Sequence, residues 1–115
     1  MEALCESRFE RDVLHAILGQ GYSVRPQVQV GHYRIDLVIE GVRSRLAVEC
    51  DGDHWHGIDR WEQDLLRQHV LERAGWTFWR LRASAFYRNP HLALTPLWER
   101  IAALGIERSG DHTST

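Results

Sequence analysis

Apolar positions along the first half of the chain change from a helical period to an extended one. A Ser-x-x-Glu capping box begins at Ser7, and the apolar residues after it recur at helical spacing until Gly19. Three runs rich in valine, isoleucine and leucine follow, with glycine-containing turns between them, at residues 22–30, 32–40 and 45–51. This half predicts one helix followed by a three-stranded meander, with Pro26 favouring an edge position for the first strand.

The second half of the chain predicts a helix, a strand and a further helix. Asp59 is expected to cap the first of these helices, and Gly75 to end it. Its apolar face, which we expect to be buried, comprises Trp61, Leu65, Leu66, His69 and Val70. Residues 76–82 alternate as a fourth strand, and Asn89-Pro90 is a strong helix start. The buried stripe predicted for the last helix comprises Leu94, Leu97, Trp98, Ile101 and Leu104.

The order helix-strand-strand-strand-helix-strand-helix predicts an α/β fold with a mixed four-stranded sheet. The third and fourth strands are joined through a helix, which favours a parallel pair and a right-handed crossover. One domain over residues 1–106 accounts for all the predicted elements. Residues 107–115 are polar and are predicted to be a disordered tail.

The length, composition and charge of the chain limit the classes of protein to which it can belong. A chain of 115 residues with 43% hydrophobic residues and five tryptophans indicates a single folded domain. No apolar run approaches the roughly 20 residues that span a bilayer, and no signal-peptide pattern is present, so we expect a cytoplasmic protein and no membrane partner. Cys5 and Cys50 suit a reducing compartment. The net charge of −2 argues against a generally adhesive nucleic-acid binder, and every basic residue is arginine.

The strongest chemical signal is the stretch from Leu46 to His56, where an apolar strand runs into several acids and two histidines. Strand alternation places Glu49 and Asp51 on one face and Cys50 on the other. Asp36 lies in the neighbouring apolar strand, where an acid is costly unless it faces solvent, pairs with an arginine or binds a cation. Grouped carboxylates suit Mg²⁺ or Mn²⁺, either of which can polarise a phosphate oxygen and generate hydroxide.

The remaining polar residues have competing interpretations. Glu10 is equally explained as a cap residue or as a site acid. His54 and His56 suit a general acid or a phosphate contact, although with Cys50 they also suggest zinc. A basic rim for a DNA backbone, as opposed to solvated arginines, would comprise Arg60, Arg67, Arg80 and Arg82. Trp55 and Tyr87 suit either base stacking or the core.

Together these motifs resemble the PD-(D/E)XK nuclease superfamily, and more narrowly the very-short-patch-repair (Vsr) endonuclease-like domains, some of which close the C-terminal end of large DNA helicases. The resemblance runs from residue 7 to about residue 90. It is carried by Ser7-Arg-Phe-Glu10, Arg34-Ile-Asp36, Val48-Glu-Cys-Asp-Gly52, His54-Trp-His56, Asp64 with Arg67, and Gly75-Trp76 followed by Arg80-Leu-Arg82.

The resemblance implies an α/β/α sandwich, a restriction-endonuclease-like fold, and Mg²⁺-dependent hydrolysis of DNA phosphodiesters. It implies Asp36, Glu49 and the main-chain carbonyl of Cys50 as metal ligands, and Glu10 as the acid that holds a metal-bound water. The chain departs from the pattern at Asp51, which stands where the superfamily has lysine. Asp51 would then hold a second metal, or His56 would handle the proton.

The sequence therefore predicts a metal-dependent DNA endonuclease domain acting in repair, restriction or defence. Its expected partners are DNA and a helicase or other DNA-processing module. The residues expected to contact nucleic acid are Arg60, Arg67, Arg80, Arg82 and His54. Two alternatives remain open at this point. One is a catalytically degenerate nuclease fold that binds nucleic acid or protein, and the other is a small zinc-binding module.

Overall fold

The computed structural model describes residues 7–52 and 58–108, with the backbone alone for residues 58–60. The elements in chain order are α1 (Arg8–Gly19), β1 (Ser23–Val30), β2 (Tyr33–Glu40), β3 (Arg45–Asp51), α2 (Ile58–Arg73), β4 (Phe78–Arg82), α3 (Ala83–Arg88) and α4 (Pro90–Ala103). None of the helices in these ranges is long and apolar enough to cross a membrane.

The sheet has the order β1-β2-β3-β4, with β1 at one edge as Pro26 suggested. The pairs β1/β2 and β2/β3 are antiparallel, and β3/β4 is parallel. This confirms the predicted α/β fold with a mixed four-stranded sheet. The short helix α3 is the one described element that the sequence did not predict.

Local capping signals set the helix ends. The Ser7 hydroxyl accepts a hydrogen bond from the Glu10 N–H at the start of α1, and the Asn89 side chain accepts one from Leu92 N–H at the start of α4. Helix α2 begins at Ile58, so Asp59 lies inside the helix and is not its cap.

The start of β4 differs from the prediction because Trp76, the first expected residue, bonds to the end of α2. Gly75 has φ +99°, and the Trp76 N–H donates to the Leu71 carbonyl at 3.1 Å. These are the features of a glycine-terminated helix end. The strand therefore begins at Phe78 rather than at Trp76.

The larger core lies between one face of the sheet and helices α1, α3 and α4. Most of the predicted apolar positions of α1 and α4 are buried there, although Leu18 is partly exposed. Phe86 of α3 packs against Phe9 of α1, with ring centroids 5.7 Å apart. The buried members of this core from the sheet are Val24, Leu37, Ile39, Leu46, Val48 and Leu81.

The opposite face of the sheet carries a smaller core beneath α2. Leu71 and Trp76 pack there with Ile35, Val38 and Ala47. The prediction that the apolar stripe of α2 is buried was wrong. Its members Trp61, Leu65, Leu66, His69 and Val70 are all exposed, and Leu66 is 62% exposed. The turn of α2 that meets the sheet carries Arg67 and Leu71 instead, so the inner side of this helix is partly polar.

Glu107 and Arg108, which the sequence predicted to lie in the tail, contact the domain. The Val42 N–H donates to the Glu107 carboxylate at 2.7 Å, and the Arg108 guanidinium lies over the Tyr22 ring at 5.4 Å. These two residues pack on the domain, whereas residues 109–115 lie outside the described range.

The orientation of α2 predicts that substitutions of two of its leucines, Leu66 and Leu71, affect the stability of the protein differently. We expect Leu71→Ala to lower the free energy of unfolding by about 2–5 kcal/mol, because Leu71 is 2% exposed. We expect Leu66→Ala to change it by no more than about 0.5 kcal/mol, because that side chain lies in solvent. Urea unfolding of both variants measures this, and a larger loss for Leu66→Ala than for Leu71→Ala would contradict the orientation.

Candidate active site

Strands β2 and β3 separate at the acids that the sequence singled out. Their last backbone pair at this end joins Leu37 to Val48. Beyond it the Glu49 carboxylate accepts a hydrogen bond from the Asp36 N–H at 3.2 Å, and the Asp36 carboxylate accepts one from the Cys50 N–H at 2.9 Å. Each carboxylate therefore accepts from a backbone N–H of the opposite strand, where a carbonyl of its own strand would otherwise accept.

The two carboxyl groups of this pair repel each other in a site with little water. Glu49 is 2% exposed. Burial, followed by the charge of Glu49, raises the pKa of Asp36 to about 8 from an ordinary value of 3.8. The hydrogen bond from Cys50 lowers this pKa but does not offset the other causes, and the charge of Glu10 raises it further. The pair holds a proton where a bound cation would be equally well accommodated.

Arg67 of α2 neutralises Glu49 from the far side. Its Nη2 donates to the second carboxylate oxygen of Glu49, and its Nη1 donates to the Arg34 carbonyl at 3.0 Å. The Arg67 side chain is itself mostly buried. A buried carboxylate is strongly destabilising without such a partner. The predicted contact arginine Arg67 is therefore a direct neighbour of a predicted catalytic acid.

Asp51 is held by an arginine of β4. The Nε and Nη2 atoms of Arg80 donate to the two carboxylate oxygens of Asp51 at 2.9 and 2.8 Å, and its Nη1 donates to the Gln68 amide oxygen at 2.5 Å. Burial tends to lower the pKa of Arg80, but the carboxylates of Asp51, Glu49 and Asp64 raise it overall. Arg80 thus brings a permanent positive charge next to Asp51.

Glu10 of α1 reaches the site from the other face of the sheet. It is 6% exposed, and its carboxylate accepts a hydrogen bond from the Gln27 side-chain amide of β1 at 2.6 Å. Its charge acts on both Asp36 and Cys50. Its backbone N–H bonds to Ser7, while its carboxylate lies with the site acids. The cap contact with Ser7 uses the backbone of Glu10, and the role of its carboxylate as a site acid stays a prediction.

Cys50 behaves as the strand alternation predicts. It is half-buried and packs against the larger core, on the face opposite Glu49. Burial, and then the charge of Asp36, raises the pKa of its thiol. The side chain is therefore held in the neutral form, which suits a core residue.

Other predicted site residues lie at the border or outside. Arg82 is exposed and alternates with buried Leu81, so it shares the outward face of β4 with Arg80. Tyr87 is half exposed, and its hydroxyl donates to Asp12 at 2.6 Å. The predictions for His54, Trp55, His56 and the Arg60 side chain, and the zinc set that includes the two histidines, lie outside the described residues.

Sequence reasoning missed Gln27, and it placed Arg67 only on a general basic rim. Gln27 is 17 residues from Glu10, and Arg67 is 18 residues from Glu49. Residues this far apart in the sequence form no local pattern from which their contact could be predicted. The one available signal is that Gln27 stands opposite Asp36 when the hairpin is built, since their neighbours are paired in register.

The residues at this site suit a hard divalent ion bound partly by solvent or substrate. Asp36 and Glu49 offer carboxylate oxygens, and their mutual repulsion favours a cation between them. In the part of the chain that the structure describes, no group of three or more His, Cys, Asp or Glu side chains could hold a metal. Mg²⁺, which is commonly bound by one or two carboxylates with water and phosphate, fits such a donor set.

The raised pKa of Asp36 predicts that the metal-free protein loses stability as pH rises. Below about pH 4 both folded and unfolded chains hold the proton. Between about pH 4 and pH 8 the unfolded chain releases it while the folded chain retains it, so stability falls through this window. We expect Asp36→Asn to flatten this dependence and to raise the Tm at pH 8 by roughly 5–10 °C.

Asp36→Asn should have the flatter pH dependence and the higher Tm because the asparagine oxygen still accepts a hydrogen bond from the Cys50 N–H. The amide group of the asparagine also takes the place of the carboxyl proton beside Glu49. Asp36→Ala is the control, because it leaves the Cys50 N–H without its acceptor and should be less stable than Asp36→Asn by about 1–3 kcal/mol. Melting curves from pH 5 to pH 8 in a chelator measure all three proteins. A steeper pH dependence in Asp36→Asn than in the wild type would contradict the assignment.

Comparison with known proteins supports a restriction-endonuclease-like domain. No curated protein and no solved structure matches the chain significantly. Residues 9–101 match the family REase_MTES_1575, a restriction-endonuclease-like family. The match extends from α1 through most of α4 and includes Glu10, Asp36 and Glu49. The chain therefore belongs to the restriction-endonuclease-like family REase_MTES_1575.

Proposed function

We propose that this chain is a nuclease domain that hydrolyses DNA phosphodiester bonds with Mg²⁺ or Mn²⁺. The observation that carries the proposal is the separation of β2 and β3 at two mutually repelling carboxyl groups, the buried Glu49 and the half-buried Asp36. A strongly perturbed carboxyl pair in an otherwise apolar sheet is typical of a functional site. The family membership supports a nuclease-type domain.

In this proposal Asp36, Glu49 and the main-chain carbonyl of Cys50 hold the metal ion. The ion supplies a Lewis acid for the phosphate and lowers the pKa of the attacking water. The backbone hydrogen bonds from Asp36 and Cys50 fix the two carboxylates before substrate arrives. Glu10 orients water on the side of α1. His56, outside the described residues, is the proposed proton donor for the leaving oxygen.

In this proposal arginine side chains supply the positive charge that the lysine of the superfamily would provide. The guanidinium group of Arg80 is planar and permanently charged, so it cannot act as a base. It can stabilise negative charge on a phosphate. Arg67 balances the charge of Glu49 and ties α2 to β2. Arg60, Arg82 and His54 would contact DNA phosphates farther from the reaction.

The proposed biological setting follows from the narrower resemblance. The Vsr-like motifs support action in DNA repair, restriction or defence, with a helicase or other DNA-processing module in the same or a partner chain. The cytoplasm is the proposed location.

The proposed function predicts cleavage that depends on both metal and the acid pair. Purified protein should nick or cut plasmid, single-stranded or branched DNA with Mg²⁺ or Mn²⁺, and not in a chelator. Glu49→Gln should lower the rate at least about 100-fold, because the metal loses a charged ligand. Circular dichroism should show that this variant is folded.

Glu40→Gln is the matched control for that experiment. Glu40 is an acid near the far end of β2 that pairs with Arg25 at 3.5 Å, so its loss should leave the rate within about twofold. A folded wild type that leaves all three DNA forms intact with both metals would contradict the proposal. That result would favour the alternative, a degenerate nuclease fold that binds nucleic acid or protein.

Asp51→Asn decides whether Asp51 binds metal or positions Arg80. A metal ligand that loses its charge would raise the metal concentration needed for half-maximal rate. We expect instead a lower kcat at unchanged metal dependence, because both carboxylate oxygens of Asp51 already accept from Arg80. Arg80→Met should give the same change. A rise of roughly tenfold or more in the half-maximal Mg²⁺ concentration for Asp51→Asn alone would show that Asp51 is a ligand.

A further inference from the structure

Gln27 is held in an unfavourable conformation opposite the acid Asp36. Its neighbours Pro26 and Val28 pair in register with Leu37 and Ile35, which places Gln27 across from Asp36. Among the non-glycine residues that the structure describes, Gln27 alone has a positive φ, at 51°. This left-handed conformation is costly for a residue with a side chain.

The side chain of Gln27 is also in an unfavourable environment. Its amide nitrogen donates to the Glu10 carboxylate at 2.6 Å. Its amide oxygen is the buried side-chain oxygen that has no hydrogen-bond partner within residues 7–52 and 58–108. A buried acceptor without a donor loses the hydrogen bonds that it would make in water.

Both unfavourable features therefore occur in a residue that bonds to Glu10 and lies across from Asp36. Gln27 and Asp36 line a common cleft of about 340 Å³. Backbone strain and unsatisfied polar atoms persist where a functional arrangement requires them. A residue selected for the stability of β1 alone would adopt neither feature.

We propose that Gln27 is a positioning residue of the nuclease site, which fixes the Glu10 carboxylate of α1 relative to Asp36 on β2. This inference rests on the proposed function and concerns how that site is held together. The bent backbone at Gln27 turns its amide toward α1, and the hydrogen bond then sets the direction of the Glu10 carboxylate.

The first test is Gln27→Gly, which separates the side chain from the backbone. Glycine adopts φ +51° freely, so the backbone keeps its course when the amide is removed. We expect a Tm within a few degrees of the wild type, together with a kcat lowered roughly 10- to 100-fold and a KM for DNA that changes little. A kcat within twofold of the wild type would overturn the proposal. A large fall in Tm that tracks the loss of kcat would also overturn it, by showing a purely structural role.

The second test exchanges the two groups in the double variant Glu10→Gln with Gln27→Glu. The swap restores a hydrogen bond between amide and carboxylate, so it should recover the Tm lost in the single variant Gln27→Glu. It moves the carboxylate from α1 to β1, so kcat should stay low. Full recovery of kcat in the double variant would show that the direction of the Glu10 carboxylate is unimportant.

A third measurement does not depend on cleavage. In ¹⁵N NMR of the wild type, the side-chain amide signals of Gln27 should shift when Mg²⁺ is added, because Glu10 and Asp36 respond to the ion. The shift should be absent in Glu49→Gln. An inactive wild type that still shows the shift would contradict the proposed function and support the role of Gln27. Unchanged Gln27 signals at saturating Mg²⁺ in an active wild type would overturn the role of Gln27 alone.

Discussion

The structure depends on the two hydrogen bonds that join Asp36 and Glu49 to the strand opposite each of them. An antiparallel ladder normally ends at a turn or an edge, but β2 and β3 part in the interior of the sheet. Where the strands part, the N–H groups of Asp36 and Cys50 are satisfied because each carboxylate accepts from the other strand. The same bonds that allow the sheet to open therefore place two acids together.

This arrangement explains why helix α2 has a polar inner side. Glu49 is buried, and its charge requires a partner, which Arg67 supplies from α2. The helix thus packs on the sheet through an ion pair and one buried leucine, Leu71, more than through a continuous apolar stripe. Its outer side keeps Trp61 and Leu66 in solvent. The buried charge of Glu49 therefore explains why α2 presents an arginine to the sheet.

Local patterns predicted the fold better than they predicted the partners of each site residue. Strand β3, the caps at Ser7 and Asn89, and the closeness of Asp36 to Glu49 all follow from nearby sequence, because alternation, capping and a short hairpin are local effects. The side of α2 that meets the sheet and the bond from Gln27 to Glu10 do not follow. They depend on how distant elements pack, and apolar periodicity misleads when a helix lies over a charged site.

The central claim is that Asp36 and Glu49 hold a divalent ion at the point where β2 and β3 separate. A crystal structure of the protein soaked in Mn²⁺, with anomalous scattering to locate the ion, tests this most directly. We predict one Mn²⁺ bound by a carboxylate oxygen of each residue at roughly 2.0–2.3 Å, with Asp51 still paired to Arg80. An ion bound only at Asp51, or a folded crystal saturated with Mn²⁺ and no ion between Asp36 and Glu49, would contradict the claim.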